Sequence, residues 1–394
     1  MSDPTSLPTT TLTAAADRAA QLRLLLGWLL SRCLLLLALV GDLGYPHQVV
    51  AGDVGLYRAW SVTLANGSAP DSSHWQYPPA TGFFIALPRA LGASYDATFV
   101  LLILALDLSV LLVLARTASP RHPGPWLWVV GVTALGPVAL ARYDMLPTLA
   151  AVVGLLAAQA RPRLSALACG IGAAVKLWPV VVLASVGRAD RRRWIITFAG
   201  ASVLLELVAA ATFASTESGL RHSSGRRLEI ESVPATPFLL ARALGAPVGI
   251  VGGHGAQEVA FGAAASIATT CAVLGVGGVL ALNVALRHQT RGRPEGALAS
   301  LAVLLVLSPV LSAQYLLWLL GLAAAAAVLG ALSGRQLGLV VAIAAATQAV
   351  FPLGWTALID GRGWAVALLV TRNVLLVVLC VDLTRGAMRT RGAR

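Results

Sequence analysis

Asp53 stands four residues before Tyr57 in GDVGLYRAW, and the same polar segment ends in Tyr77-Pro78-Pro79. Residues four apart share a helix face, so the spacing predicts a carboxylate and a phenol side by side just after the first apolar run. A positioned carboxylate can take the proton from an attacking hydroxyl. Lys176, the only lysine of the chain, lies in CGIGAAVKLWPVVVL. A cation inside an apolar stretch is costly and by default marks a function. A phosphate contact at a helix break would explain it; a lysine snorkelling to the interface is the plain alternative. Arg226, Arg227, Glu229 and Glu231 alternate sign in RRLEIES. Paired arginines suit a phosphate or pyrophosphate, and a solvated charged face is the alternative. His222 and His254 read as loop histidines.

The elements that must position these residues are membrane spans. Of 394 residues 57% are hydrophobic and only 12% charged, and the mean hydropathy is +0.79. Runs near twenty apolar residues recur, which predicts an all-α polytopic membrane protein. The ten-residue alternation of a transmembrane barrel is absent. The net charge of +12 does not point to nucleic acid. The arginines gather in short loops between apolar runs, as the positive-inside bias predicts. Cys33, Cys169, Cys271 and Cys380 all lie within apolar runs, without metal or redox spacing. The arginine-, alanine- and glycine-rich usage suggests a high-GC bacterial gene.

With Arg18 and Arg23 placed inside, span one covers 22–43 and residues 44–95 hold the first outer loop. Later spans are expected near 96–115, 126–141, 145–160, 194–213, 258–286, 297–311, 315–332, 337–352 and 364–384. A single crossing over 164–187 would export Arg188, Arg191, Arg192 and Arg193. Two half-length helices meeting near Lys176 to Pro179 keep both ends inside, and such breaks are tolerated where they line a cavity. The expectation is 11–12 segments with both termini cytoplasmic. It divides the chain into a disordered tail at 1–20, one transmembrane domain at 21–385 with outer loops 44–95 and 214–257, and a basic tail at 386–394. Asp53, Tyr57, Tyr77, Arg142, Asp144, Arg226, Arg227, Glu229, Glu231 and Gln314 then fall at outer ends, with Lys176 at the broken tip. Asp107, Arg372, Glu206 and Arg32 lie mid-span, where Asp107 and Arg372 could pair. Trp75, Trp126, Trp128, Trp318, Trp355 and Trp364 sit near span ends, as interfacial aromatics do.

Asp53-Val-Gly-Leu-Tyr57, then Asn66-Gly67, then Tyr77-Pro78-Pro79 resembles the D-x-x-x-Y…G…Y-P-P signature of glycosyltransferase family 87. Ala174-Val-Lys176-Leu-Trp178-Pro179 resembles its K-x-x-P half-helix. Arg226 to Ser232 resembles the R-G-L-x-I-E-S loop of an actinobacterial branch, with Arg227 in place of glycine. Ser308 to Trp318 resembles its S-x-Q-Y-x-x-W signature, which is also similar to the first mannosyltransferase of GPI assembly. Many relatives carry histidine where this chain has Ser312 and Gln314. The resemblance spans roughly residues 20–330. It implies a GT-C fold and transfer of a sugar, mannose foremost, from a polyprenyl-phosphate donor with inversion. Asp53 would be the base, Lys176 and Arg226 would hold the donor phosphate, and Gln314 and Tyr315 would line the sugar pocket.

The partners expected are therefore a polyprenyl-phosphate sugar donor, a lipid, glycan, protein or peptide acceptor, and membrane lipids. No cofactor is expected, since the lipid-linked sugar is a substrate, and no metal, since the outer loops hold no D-x-D. A polyprenyl-phosphate-arabinose donor fits the residues as well. A lipid or solute transporter would call for paired broken helices in both halves, and only one broken segment is evident.

Overall fold

The structure, a computed structural model, describes residues 9–41, 44–70, 75, 77–92, 94–213 and 225–389. His222 lies outside the described residues. The first half runs through α1 (Thr9–Val40), α2 (His47–Ala65), α3 (Thr81–Ala90), α4 (Tyr95–Thr117), α5 (Pro123–Leu135), α6 (Met145–Ala157), α7 (Pro162–Val175) and α8 (Arg191–Thr212). After residue 225 come α9 (Thr236–Ala243), the strands β1 (Gly249–Gly253) and β2 (Ala256–Ala260), α10 (Ala264–Leu286) and α11 (Pro294–Leu307). The chain closes with α12 (Leu316–Val328), α13 (Gly334–Gln348), α14 (Trp355–Ile359) and α15 (Gly363–Met388).

Among the described residues six helices are long and apolar enough to cross a membrane: Asp17–Val40, Tyr95–Thr117, Arg191–Thr212, Ala264–Leu286, Gly334–Leu353 and Gly363–Met388. Leu30, Leu204, Leu207 and Leu280 stand exposed on them, the surface that lipid rather than water covers. The all-α polytopic membrane class expected from composition is what is observed. Shorter apolar helices, α6, α7, α11 and α12 among them, fill the interior. Leu316 to Ala327 of α12 are all buried. Such short helices stop where the backbone leaves the helix to build the site. Helix α1 begins at Thr9, inside the segment that the sequence leaves unstructured.

The break at Lys176 has a local cause. Helix α7 ends at Val175, Lys176 is extended at φ −153°, and a 3-10 stretch follows over Trp178–Ser185. Pro179 has no N–H to give the carbonyl four residues back. That carbonyl, Val175 O, instead accepts a hydrogen bond from Thr81 Oγ1 at 3.0 Å. The polar start of α3 is thereby fastened to the break.

The mid-span charges pair differently from the expectation. Asp107 binds Arg32, not Arg372, through Nε–Oδ2 at 2.7 Å and Nη2–Oδ1 at 2.8 Å, and Trp28 Nε1 donates to the same carboxylate at 2.6 Å. The planar guanidinium meets both carboxylate oxygens at once. Arg372 reaches out of the helix layer and donates from Nη2 to the Glu231 carbonyl at 2.6 Å. Glu206 accepts from the Ala80 N–H at 3.2 Å. Trp75, Trp128 and Trp318 are buried, so these three are interior residues rather than interfacial ones. Trp128 Nε1 donates to the Asp107 carbonyl at 3.3 Å.

Candidate active site

Where the short helices end, a cavity of about 230 Å³ opens. Its lining comes from distant parts of the chain: Asp53 on α2, Tyr77 before α3, Lys176 at the break, Arg226, His254 at the hairpin tip, and Gln314 and Tyr315 before α12. Among the described residues Asp53 is the only carboxylate in that lining.

Asp53 is held from behind. Its Oδ2 lies 2.9 Å from Arg142 Nε, with the arginine side chain 5% exposed and the aspartate 37%. Arg142 is itself fixed, donating from Nη1 to the carbonyls of Val50 at 2.7 Å and Ala141 at 3.0 Å. Tyr57 shares the helix with Asp53 but is buried. It packs on Tyr143 at 5.6 Å and Phe99 at 5.5 Å between ring centres. Tyr77 meets the same Tyr143 at 5.1 Å, edge to face. Tyr57 therefore sets the angle of α2, while Tyr77 faces the cavity.

Lys176 sits in a box of rings. Its Nζ lies 4.8 Å from the Tyr143 ring centre, 5.0 Å from Tyr315 and 5.3 Å from Trp318. The negative ring faces favour a cation there. Nζ also donates to Asp144 Oδ1 at 2.8 Å, which accepts from Trp318 Nε1 at 2.8 Å as well. Asp144 is fully buried and does not line the cavity. Its place is that of a counter-ion beneath the lysine.

Residues 226–231 run along the outer edge of β2. Val259 N donates to Leu228 O at 2.8 Å and Ile230 N to Gln257 O at 3.0 Å. Glu229 points inward and accepts from the Leu311 N–H at 2.8 Å and Ser312 Oγ at 3.0 Å. It thus ties RRLEIES to the segment carrying Gln314 and Tyr315. Burial pushes the Glu229 carboxyl up, against the pull of Arg226 and its hydrogen bonds. The Glu231 carboxyl is pushed up to about 8, by burial first and then by the charge of Glu229, with Arg372 and Arg142 opposing. Burial disfavours the ionised form of a carboxyl, and a like charge adds to that. Neither glutamate lines the cavity, and Arg227 points outward to solvent.

Six of the residues singled out in the sequence therefore line one cavity: Asp53, Tyr77, Lys176, Arg226, Gln314 and Tyr315. Tyr57, Arg142, Asp144, Glu229 and Glu231 stand behind it as supports. His254 and Glu258 were not legible as site residues. GGHGAQEV does carry a two-residue His-Gly turn between short runs, a hairpin signal. Among the described residues no group of three or more His, Cys, Asp or Glu is placed to hold a metal ion.

The family model of glycosyltransferase family 87 matches residues 75–312, more than half of the chain. The chain belongs to glycosyltransferase family 87. It is a multi-pass membrane glycosyltransferase, and a sugar donor and an acceptor must meet on it. The match takes in Tyr77, Lys176, Arg226 and His254. Asp53, Gln314 and Tyr315 lie beyond its ends and join the site through the shared cavity. No curated protein and no solved structure matches the chain.

Proposed function

We propose that this glycosyltransferase moves mannose from polyprenyl-phosphate-mannose to an acceptor hydroxyl at the extracytoplasmic face, with inversion. The observation that carries the reading is the cavity lining itself. Among the described residues one carboxylate, Asp53, and two cations, Lys176 and Arg226, face one space. A base and cationic groups across a cavity suit displacement of a phosphate by a hydroxyl. Asp53 takes the acceptor proton, the acceptor oxygen bonds to the anomeric carbon, and the bond from that carbon to the phosphate oxygen breaks. The electron pair leaves with the polyprenyl phosphate. A β-linked donor gives an α-mannoside.

The cations divide the work. Arg142 lies 2.9 Å from Asp53 and Lys176 lies 2.8 Å from Asp144. Arg226 is held more loosely, 3.8 Å from Glu258, and, unlike Arg142, whose Nε likewise has no hydrogen-bond partner among the described residues, it lines the cavity. Arg226 is thus the cation with most capacity left for a leaving phosphate, where fixed positive charge stabilises the developing negative charge. Arg142 keeps Asp53 oriented, and Lys176 with its ring box forms the wall against the sugar.

Radiolabel transfer decides the reading. Membranes expressing this chain receive polyprenyl-phosphate-mannose or its arabinose analogue, and glycosylated product is extracted. Mannose label in product, lost in Asp53→Asn, is the expected result. Arabinose label alone would move the chain to the furanosyl donor, and label from neither would remove the polyprenyl-phosphate donor.

A further inference from the structure

Part of the cavity wall is a hairpin to which the transfer reaction assigns no role. Strands β1 and β2 pair with Gly253 opposite Ala256, leaving His254 and Gly255 as the turn. Both have positive φ, 51° and 74°, the requirement of a two-residue type I′ turn. His254 is the only described non-glycine residue with positive φ. Asparagine, aspartate or glycine would fill that position at lower conformational cost. A histidine there places an imidazole on the cavity wall.

Beneath the turn lies Glu258, 1% exposed. Its Oε1 is 2.9 Å from His254 Nδ1 and 3.8 Å from Arg226 Nε, and its Oε2 accepts from the Arg227 N–H at 3.3 Å. A Cβ on Gly253 would stand 3.1 Å from Oε2, so that glycine lets the carboxylate tuck under the turn. A buried carboxylate is tolerated only when donors surround it. Here two of the groups around it, His254 and Arg226, are the ones that line the cavity. A carboxylate behind an imidazole fixes the orientation of the ring. The same carboxylate limits the swing of the Arg226 guanidinium.

We propose that Glu258 is a positioning residue, holding His254 and Arg226 as a paired subsite for the phosphate of a polyprenyl-phosphate ligand. This deepens the donor reading above and rests on it for the identity of the lipid. The phosphate itself touches Arg226 and His254. Glu258 stays behind them, and Asp53, on α2, lines the same cavity and serves the acceptor hydroxyl. Arg226→Lys would keep the charge but lose the planar fork.

The test separates phosphate recognition from transfer. Purified protein in nanodiscs is titrated with farnesyl phosphate and, separately, with farnesol. The ratio of the two affinities isolates the phosphate from the isoprenoid tail. Glu258→Gln keeps the shape and removes the charge. It should lower that ratio about tenfold, the worth of one oriented hydrogen bond to a charged group, while farnesol binding stays unchanged. His254→Asn preserves the turn, because asparagine suits positive φ, and should lower the ratio similarly. It gives the answer if Glu258→Gln does not fold. Where transfer is measurable, both variants should raise the donor KM and leave the acceptor KM alone. A folded variant whose phosphate-to-alcohol ratio equals that of the wild type overturns the proposal, even with the donor reading intact. Loss of the ratio in a protein that transfers no sugar from polyprenyl phosphate supports the subsite and removes only the donor reading.

Discussion

At the scale of single residues, position relative to counter-charges decides what each variant should do. Asp53→Asn retains an acceptor oxygen for Arg142 and should leave folding intact, but an amide cannot accept the proton. Transfer should fall by about 10²–10⁴-fold, the usual worth of a general base. Activity within about tenfold of wild type, at equal expression, would remove Asp53 from that role. Lys176 behaves differently, because Asp144 lies beneath it with only 1% of its side chain exposed. Lys176→Met leaves a buried carboxylate without its cation, and breaking such a pair costs about 3–5 kcal/mol. Thermal unfolding in detergent should show a large drop for Lys176→Met and recovery in Lys176→Met with Asp144→Asn. Equal unfolding temperatures for wild type and the single variant would show that the pair carries no stability. The sequence made Asp53, Lys176 and Arg226 legible, since each is a charge where apolar or loop residues are the rule. It marked Asp144 as well but not its pairing with Lys176, nor that of Glu258 with Arg226, partners that are 32 residues apart in each case. Only the folded chain brings those pairs together.

At the scale of elements, breaks and edges carry the site more than whole helices do. The Lys176–Pro179 break was readable from the arginines that a single crossing over 164–187 would export. The strand-like course of residues 226–231 was not, because its partner is a hairpin made of Gly249–Ala260, rich in glycine and poor in strand formers. Arg372 looked like a mid-membrane ion and is instead the clamp from α15 onto the Glu231 carbonyl. The Glu231 side chain gives this edge a pH signature. Its carboxyl is raised from the ordinary 4.5 to about 8, so the folded protein holds that proton more tightly than the unfolded chain. The contribution of Glu231 to stability is then complete below about pH 4.5 and is lost as pH rises through about 8. Glu231→Gln imitates the protonated form. Unfolding temperatures measured from about pH 5 to about pH 8.5 should fall less steeply in Glu231→Gln than in wild type. Parallel curves would mean that Glu231 does not hold its proton in the folded state.

At the scale of the whole molecule, orientation follows from geometry and charge together. Helices α6 and α7 form an antiparallel pair whose near ends meet in the Asp144–Lys176 ion pair. Their far ends lie about 20 Å away, thirteen residues at 1.5 Å each, and there Arg161, Arg163 and Arg193 gather around Trp194. Arginine-rich short loops stay on the cytoplasmic side, so the cavity end should face outward. That choice agrees with the proposed transfer from a lipid-phosphate donor at the extracytoplasmic face. It is open to direct measurement in a background with Cys33, Cys169, Cys271 and Cys380 replaced. A cysteine at Ala189, exposed at the arginine end, should react with an impermeant thiol reagent only after the cells are permeabilised. A cysteine at Ala243, exposed on the segment that carries the hairpin, should react in intact cells. The reverse pattern would turn the molecule over and place sugar transfer on the cytoplasmic side, where nucleotide sugars become the natural donors and Arg226 with His254 would meet a diphosphate instead.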